Sequence, residues 1–112
     1  MSPDFAPDLP HDEPFLMLNA LWYKPDGGKE KYTEYLKAAA PFSEKYGAKT
    51  HNLCTPEHAV FGEMDADLLF FVEWPSWKVF REFIADPEYQ KVTHLRAEAI
   101  TNSLLIRCKP LR

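Results

Sequence analysis

Cysteine is scarce in this chain, with only Cys54 and Cys108 in 112 residues. Two cysteines make no disulfide framework, and they fit a reduced, cytosolic compartment. No apolar run approaches the ~20 residues that a membrane-spanning helix needs. The start, Met1-Ser2-Pro3-Asp4, has neither the basic nor the long apolar part of a secretion signal. Bases are outnumbered, 13 against 17 acids, and the net charge of -4 argues against a nucleic-acid duplex as partner. Glycine is rare too: Gly27-Gly28 is a lone pair in a turn, not a phosphate-cradling loop. No serine sits in a Gly-x-Ser-x-Gly setting, and no basic-aromatic stripe suits single-stranded nucleic acid. His51 and His58 are poorly spaced for a chelate. His94 and Glu98, four apart on a helix, have no further ligand, so neither a metal nor a cofactor is expected.

What the chain does have is apolar patterning over the length of one domain, at 46% hydrophobic and 14% aromatic, which excludes a disordered composition. The stretch Leu68-Leu69-Phe70-Phe71-Val72-Glu73-Trp74-Pro75-Ser76 organises it. A short apolar run bounded by turn signals reads as a strand buried on both faces. Side chains alternate along a strand, so Leu69, Phe71 and Glu73 share one face, and Leu68, Phe70, Val72 and Trp74 the other. Pro75 ends the strand, and Ser76 is placed to N-cap the next helix.

Residues 1–14 hold four prolines and read as a tail, either a mobile leader or an arm packing Phe5 and Leu9 onto a partner. Phe15–Tyr23 is the first strand of the domain, residues 15–112. Phe15, Met17, Asn19, Leu21 and Tyr23 fall on one face, and Leu16, Leu18, Ala20 and Trp22 on the other. Lys29–Tyr46 is a helix with an apolar stripe of Tyr32, Tyr35, Leu36 and Ala39, a kink or break expected at Pro41, and Gly47 as its C′ residue. Ala48–Phe61 reads as an edge strand bulged or broken at Thr55-Pro56. A second helix runs Trp77–Ala85. A third restarts at Asp86, with Asp86 as N-cap and Pro87 at N1, and presents Tyr89, Val92, Leu95, Ala99 and Ile100 as one stripe that contains Arg96. Ser103–Cys108 is the last strand.

The order strand-helix-strand-strand-helix-strand predicts the split βαβ, ferredoxin-like fold, an α+β class with an antiparallel sheet covered by helices on one face. Its second and fourth strands lie at opposite edges, which excludes a Cys54–Cys108 disulfide. Both central strands are apolar on both faces, so a second copy of the chain is expected to cover the open side.

These stretches carry a family resemblance. Phe61-Gly62-Glu63 to Ser76, with its Val72-Glu73-Trp74-Pro75-Ser76 ending, is similar to the strand-and-turn signature of the uncharacterised DUF1330 family. Asp86-Pro87-Glu88-Tyr89-Gln90, with Arg96 seven residues after Tyr89, resembles its second motif. Tyr32 and Tyr35 before Pro41 and Gly47 fit its first helix. The resemblance spans about residues 15–109, with Trp74 where phenylalanine is common and with the tail as an addition. It implies a dimeric α+β barrel in which two ferredoxin-like sheets face each other, and it implies no established catalytic residues. Barrels of this kind include cofactor-independent monooxygenases, haem-degrading enzymes and small isomerases.

Against that frame two polar residues stand out as candidate catalytic groups. Glu73 interrupts an apolar strand face and calls for a cation, a histidine or a polar ligand beside it. Arg96 interrupts an apolar helix stripe and calls for an anionic partner, unless it snorkels to water. Asn19, Trp22, Tyr32, Phe71 and Tyr89 are candidate ligand-binding residues, with Trp74 beside them. The expected site is a pocket between the sheet and the partner subunit. Two function classes follow: a small-molecule enzyme, of the cofactor-independent oxygenase or isomerase kind, or a non-catalytic binding module on the same barrel.

Overall fold

In the computed structural model, which describes residues 9, 10 and 13–111, the chain forms the predicted ferredoxin-like α+β fold. Its strands are β1 (Phe15–Tyr23), β2 (Lys49–Cys54), β3 (Leu68–Trp74) and β4 (Ile100–Cys108). They form one antiparallel sheet in the order β2-β3-β1-β4. The helices are α1 (Gly28–Lys45), α2 (Trp77–Ala85), α3 (Pro87–Gln90) and α4 (Thr93–Ala99). Cys54 and Cys108 are free, on the opposite edge strands.

The register decides which strand faces meet the helices. Phe15 pairs with Trp74, Met17 with Val72, Asn19 with Phe70 and Leu21 with Leu68. These residues form the core face, and most of them are under a tenth exposed. On the opposite face Leu16, Leu18 and Ala20 pair with Glu73, Phe71 and Leu69 on one side and with Cys108, Ile106 and Leu104 on the other. On this second face Leu104 and Ile106 are 43% and 45% exposed.

The ends of the elements follow from their side chains. Ser76 caps α2 by accepting the Val79 N–H at 3.2 Å. At the C-terminus of α1, Gly47 takes φ 78°, its N–H reaches Glu44 O, and the Ala48 N–H reaches Ser43 O, both at 3.0 Å. This is a Schellman closure, which needs a residue without a Cβ penalty at that position. Gly28 opens α1 where a Cβ would come within 2.5 Å of Ala99 O, the carbonyl that already accepts the Lys24 N–H.

Five boundaries differ from expectation. α1 is not broken at Pro41: Pro41 and Lys37 are both exposed, so the carbonyl that loses its bond can reach water, and packing of Tyr46 holds the last turn. The helix after Asp86 is two pieces, α3 and α4, interrupted at Lys91-Val92. β4 starts at Ile100, three residues early, so Ile100 belongs to the sheet and not to a helix stripe. The irregularity of β2 lies between His51 and Cys54, where Asn52 takes φ 55°, a value asparagine tolerates, and not at Thr55-Pro56. The strand ends at Cys54, and residues 58–61 form loop, with Phe61 95% exposed. In the tail, Phe5 lies outside the described residues, and Leu9 packs against the core of its own chain.

Candidate functional site

Where α1 crosses the sheet it carries small side chains, Ala39, Ala40 and Ser43, and space remains beneath it. A cavity of about 320 Å³ lies there, between the core face of the sheet and the helices. Met17, Asn19, Phe70, Val72, Thr50 and Leu105 make its floor. Tyr32, Tyr35 and Leu36 of α1, Phe80 and Phe83 of α2, Tyr89 of α3 and Arg96 of α4 make its walls. Leu53, 54% exposed, stands where the cavity meets solvent at the β2 edge. The size is at the low end for ligand pockets and suits a molecule of one or two rings.

The polar groups in this apolar shell are few, and they converge. The hydroxyls of Tyr35 and Tyr89 are 2.7 Å apart. Asn19 is buried, and its amide nitrogen donates to Met17 O at 3.1 Å. Burial pushes the phenols of Tyr32, Tyr35 and Tyr89 up, so all three stay protonated. The Arg96 guanidinium pulls the other way on each. Its Nη2 is buried with no hydrogen-bond partner among the described residues. Arg107 Nη1 is also buried without a hydrogen-bond partner among the described residues, but that guanidinium lies against π faces, 4.8 Å from the Phe15 ring centroid and 5.2 Å from that of Trp77.

One carboxylate holds the wall in place from outside the cavity. Asp86, 6% exposed, accepts the Glu88 N–H at 2.8 Å and the Tyr89 N–H at 3.4 Å. Its second oxygen accepts from Tyr46 Oη at 2.8 Å and Lys45 Nζ at 3.3 Å. The Tyr46 hydroxyl, then the Glu88 amide, hold its pKa down at about 2, against 3.8 for a free side chain. A depressed carboxyl stabilises the fold above its unfolded pKa and loses that contribution as pH falls through the folded one. Thermal stability should therefore fall from about pH 4 down to pH 2, and Asp86→Asn should flatten the curve in that window while keeping most of the cap. Asp86→Ala removes cap and charge together, for a fall in Tm on the order of 5–10 °C. A pH profile identical to wild type for Asp86→Asn would count against this assignment.

The structure separates the site residues expected from sequence into two groups. Asn19, Tyr32, Tyr89, Trp74 and Arg96 line the cavity. Glu73, Phe71 and Trp22 do not: strand alternation puts them on the opposite face of the sheet. Glu73 there pairs with His51, Nε2 to Oε1 3.4 Å, both about half exposed. Trp22 Nε1 donates to Asp65 Oδ1 at 2.8 Å. Glu73 and Arg96 thus do not share a site. This cavity lies under the chain's own helices, on the face of the sheet opposite Glu73, where the small residues of α1 leave space. Tyr35, Ser43 and Phe83 line the cavity as well, beyond the residues that polarity on an apolar face singles out. The Tyr32/Tyr35 spacing and the run Ala38-Ala39-Ala40 were the available signals for a polar-edged void beneath α1. Among the described residues no group of three metal-ligating side chains exists and no helix is long and apolar enough to cross a membrane.

The family described as Domain of unknown function (DUF1330) matches residues 27–107. Among solved structures, the chain is similar to a protein of unknown function from Rhodopseudomonas palustris, at 33% identity and a TM-score of 0.83, over 90% of this chain and 85% of that one. It is also similar to a dimeric ferredoxin-like protein of unknown function from Jannaschia sp., at 9% identity and TM-score 0.72, over 87% and 99% of the two chains. A cofactor-independent oxygenase from Streptomyces nogalater aligns at 13% identity and TM-score 0.68, over 89% of this chain and 95% of its own. The last two share the fold alone. No curated protein matches the chain.

Proposed function

From the premise that the chain belongs to the DUF1330 family, we propose that it binds a small, largely apolar molecule in the cavity beneath α1, as an isomerase or cofactor-independent oxygenase. The observation that carries this is the cavity itself: an aromatic chamber of about 320 Å³ with Tyr, Asn and Arg groups converging on it and a mouth at Leu53. A reaction of either class that passes through an oxyanion would find N–H and O–H donors here to stabilise it. The oxygenase from Streptomyces nogalater shows that this fold accommodates such chemistry. In this reading Arg96, Asn19, Tyr32 and Tyr89 touch the ligand. Glu73, Phe71 and Trp22 belong to the open sheet face, which a second copy covers in this reading; the similar protein from Jannaschia sp. is described as dimeric. The protein works in the cytosol with both cysteines reduced.

One observation favours a second reading, a binding module without turnover. No carboxylate, imidazole, thiol or amine lines the cavity among the described residues, so the chain brings no evident general base.

Filling the chamber tests both. Ala40→Phe places a ring in the space under α1. Wild-type protein should rise in Tm with indole, a neutral bicyclic probe, by an amount that grows with its concentration. The variant should keep its circular dichroism spectrum and lose that response. A response of equal size in both proteins would move the ligand site elsewhere.

A further inference from the structure

We propose that the cavity takes its ligand as a monoanion, a phenolate or enolate on an apolar ring system, and that Arg96 is the group that ionises it. The inference rests on the cavity reading above and adds the charge and functional group of the occupant.

The argument starts from what the lining can and cannot do. Arg96 is permanently charged, and its Nη2 is buried against the cavity without an acceptor. A desolvated donor on a cation is costly to leave unmet, so the missing partner is an acceptor, best a negative one. A carboxylate or phosphate would favour the two-pronged face of a guanidinium. Here one terminal nitrogen, Nη2, is buried without a partner among the described residues, which matches a single oxygen.

The surrounding groups point the same way. The titratable groups facing Arg96 are Tyr32 and Tyr35 from α1 and Tyr89 from α3, all held protonated by burial. In the Tyr35–Tyr89 pair one O–H is used on the other oxygen, so the second remains free to donate. The sheet contributes no titratable side chain to the lining. Lys31 and Glu98, on α1 and α4, pair with each other at 3.7 Å at the surface. The chamber therefore offers donors and a fixed positive charge, and no base. A ligand with a weakly acidic O–H loses its proton to water: the O–H bond breaks, the electron pair stays on the ligand oxygen, and that oxyanion pairs with Nη2. The cation takes over the work of a base by lowering the ligand's own pKa.

The test uses 4-nitrophenol, whose visible absorbance reports ionisation, and 4-nitroanisole, which has the same ring and cannot ionise. With wild-type protein the phenolate band should appear at pH values below the free ligand's pKa, the phenol should bind about 10- to 100-fold tighter than the anisole, and its apparent pKa should fall correspondingly. Arg96→Met, an apolar replacement of similar length, should bind both alike and show no band. Arg96→Lys should restore part of it. If wild-type protein binds both ligands equally and leaves the phenol's pKa unmoved, the anion inference is wrong while the cavity reading stands. If neither ligand binds, the cavity reading fails and takes this one with it. The wild-type comparison decides even if Arg96→Met does not fold.

Discussion

Phe83→Ala is expected to remove about 3–5 kcal/mol of stability, a large share of the 5–15 kcal/mol typical of a domain this size. Phe83 is 5% exposed, and its ring centroid lies 4.1 Å from Tyr89, 4.8 Å from Trp74 and 6.1 Å from Tyr46. It therefore joins α2 to β3, to α3 and to the end of α1. Truncation loses the buried area of one ring and three ring contacts at once, each worth roughly 0.5–1.5 kcal/mol beyond burial. Phe83 already borders a cavity, so the neighbours have empty space on one side and little to collapse onto. Chemical denaturation should show a lower midpoint at unchanged slope, with Tm down by roughly 15–25 °C. Phe83→Leu should cost less than half as much. A loss under about 1 kcal/mol for the alanine variant would mean that the ring cluster does not hold the helices to the sheet.

Phe71→Asp should convert a dimer into a folded monomer. Phe71 sits at the middle of the open sheet face, flanked by Leu18 in register and followed across β1 by Ile106. Its side chain points away from the helices, so a carboxylate there leaves the core untouched. In a subunit contact the same carboxylate is buried without a partner, which costs more than such a contact can absorb. Sedimentation at micromolar concentration should give twice the 13.0 kDa chain mass for wild type and the chain mass for the variant, with matching circular dichroism. Monomeric wild-type protein would show that the open face is covered by something other than a second copy.

Much of the fold was legible because each segment agreed with its neighbours. Pro75 and Ser76 ended β3 and began α2, Asp86 and Pro87 began α3, and Gly47 closed α1. The interruption at Lys91-Val92 was not legible: it contains neither proline nor glycine, and α4 starts without a side-chain cap. The site was harder to read for a definite reason. Both faces of β1 and β3 are apolar, so patterning cannot say which lies under the helices. Only the pairing of Leu16 with Glu73 and of Asn19 with Phe70 separates Glu73 from Asn19. Arg96 was identifiable as a charge on an apolar stripe, but the void it faces arises from the small volumes of Ala39 and Ala40 against the sheet. Volume is not part of a polar/apolar pattern.

The irregularity in β2 acts as a phase shift. His51 is opposite Phe71 and Cys54 opposite Leu69, so three steps along β2 match two along β3. One surplus residue reverses the parity of everything after it. Thr50 and Leu53 therefore look to the same side, at the cavity, although an uninterrupted strand would send them to opposite sides. The rim of the chamber is thus set by a count of residues in an exposed edge strand, not by the packed interior. Gaining or losing one residue near Asn52 would exchange Leu53 for its neighbour at the entrance while the floor and walls stay as they are. A lineage could retune admission to such a chamber by insertion and deletion alone, at a position where the backbone already tolerates the left-handed turn.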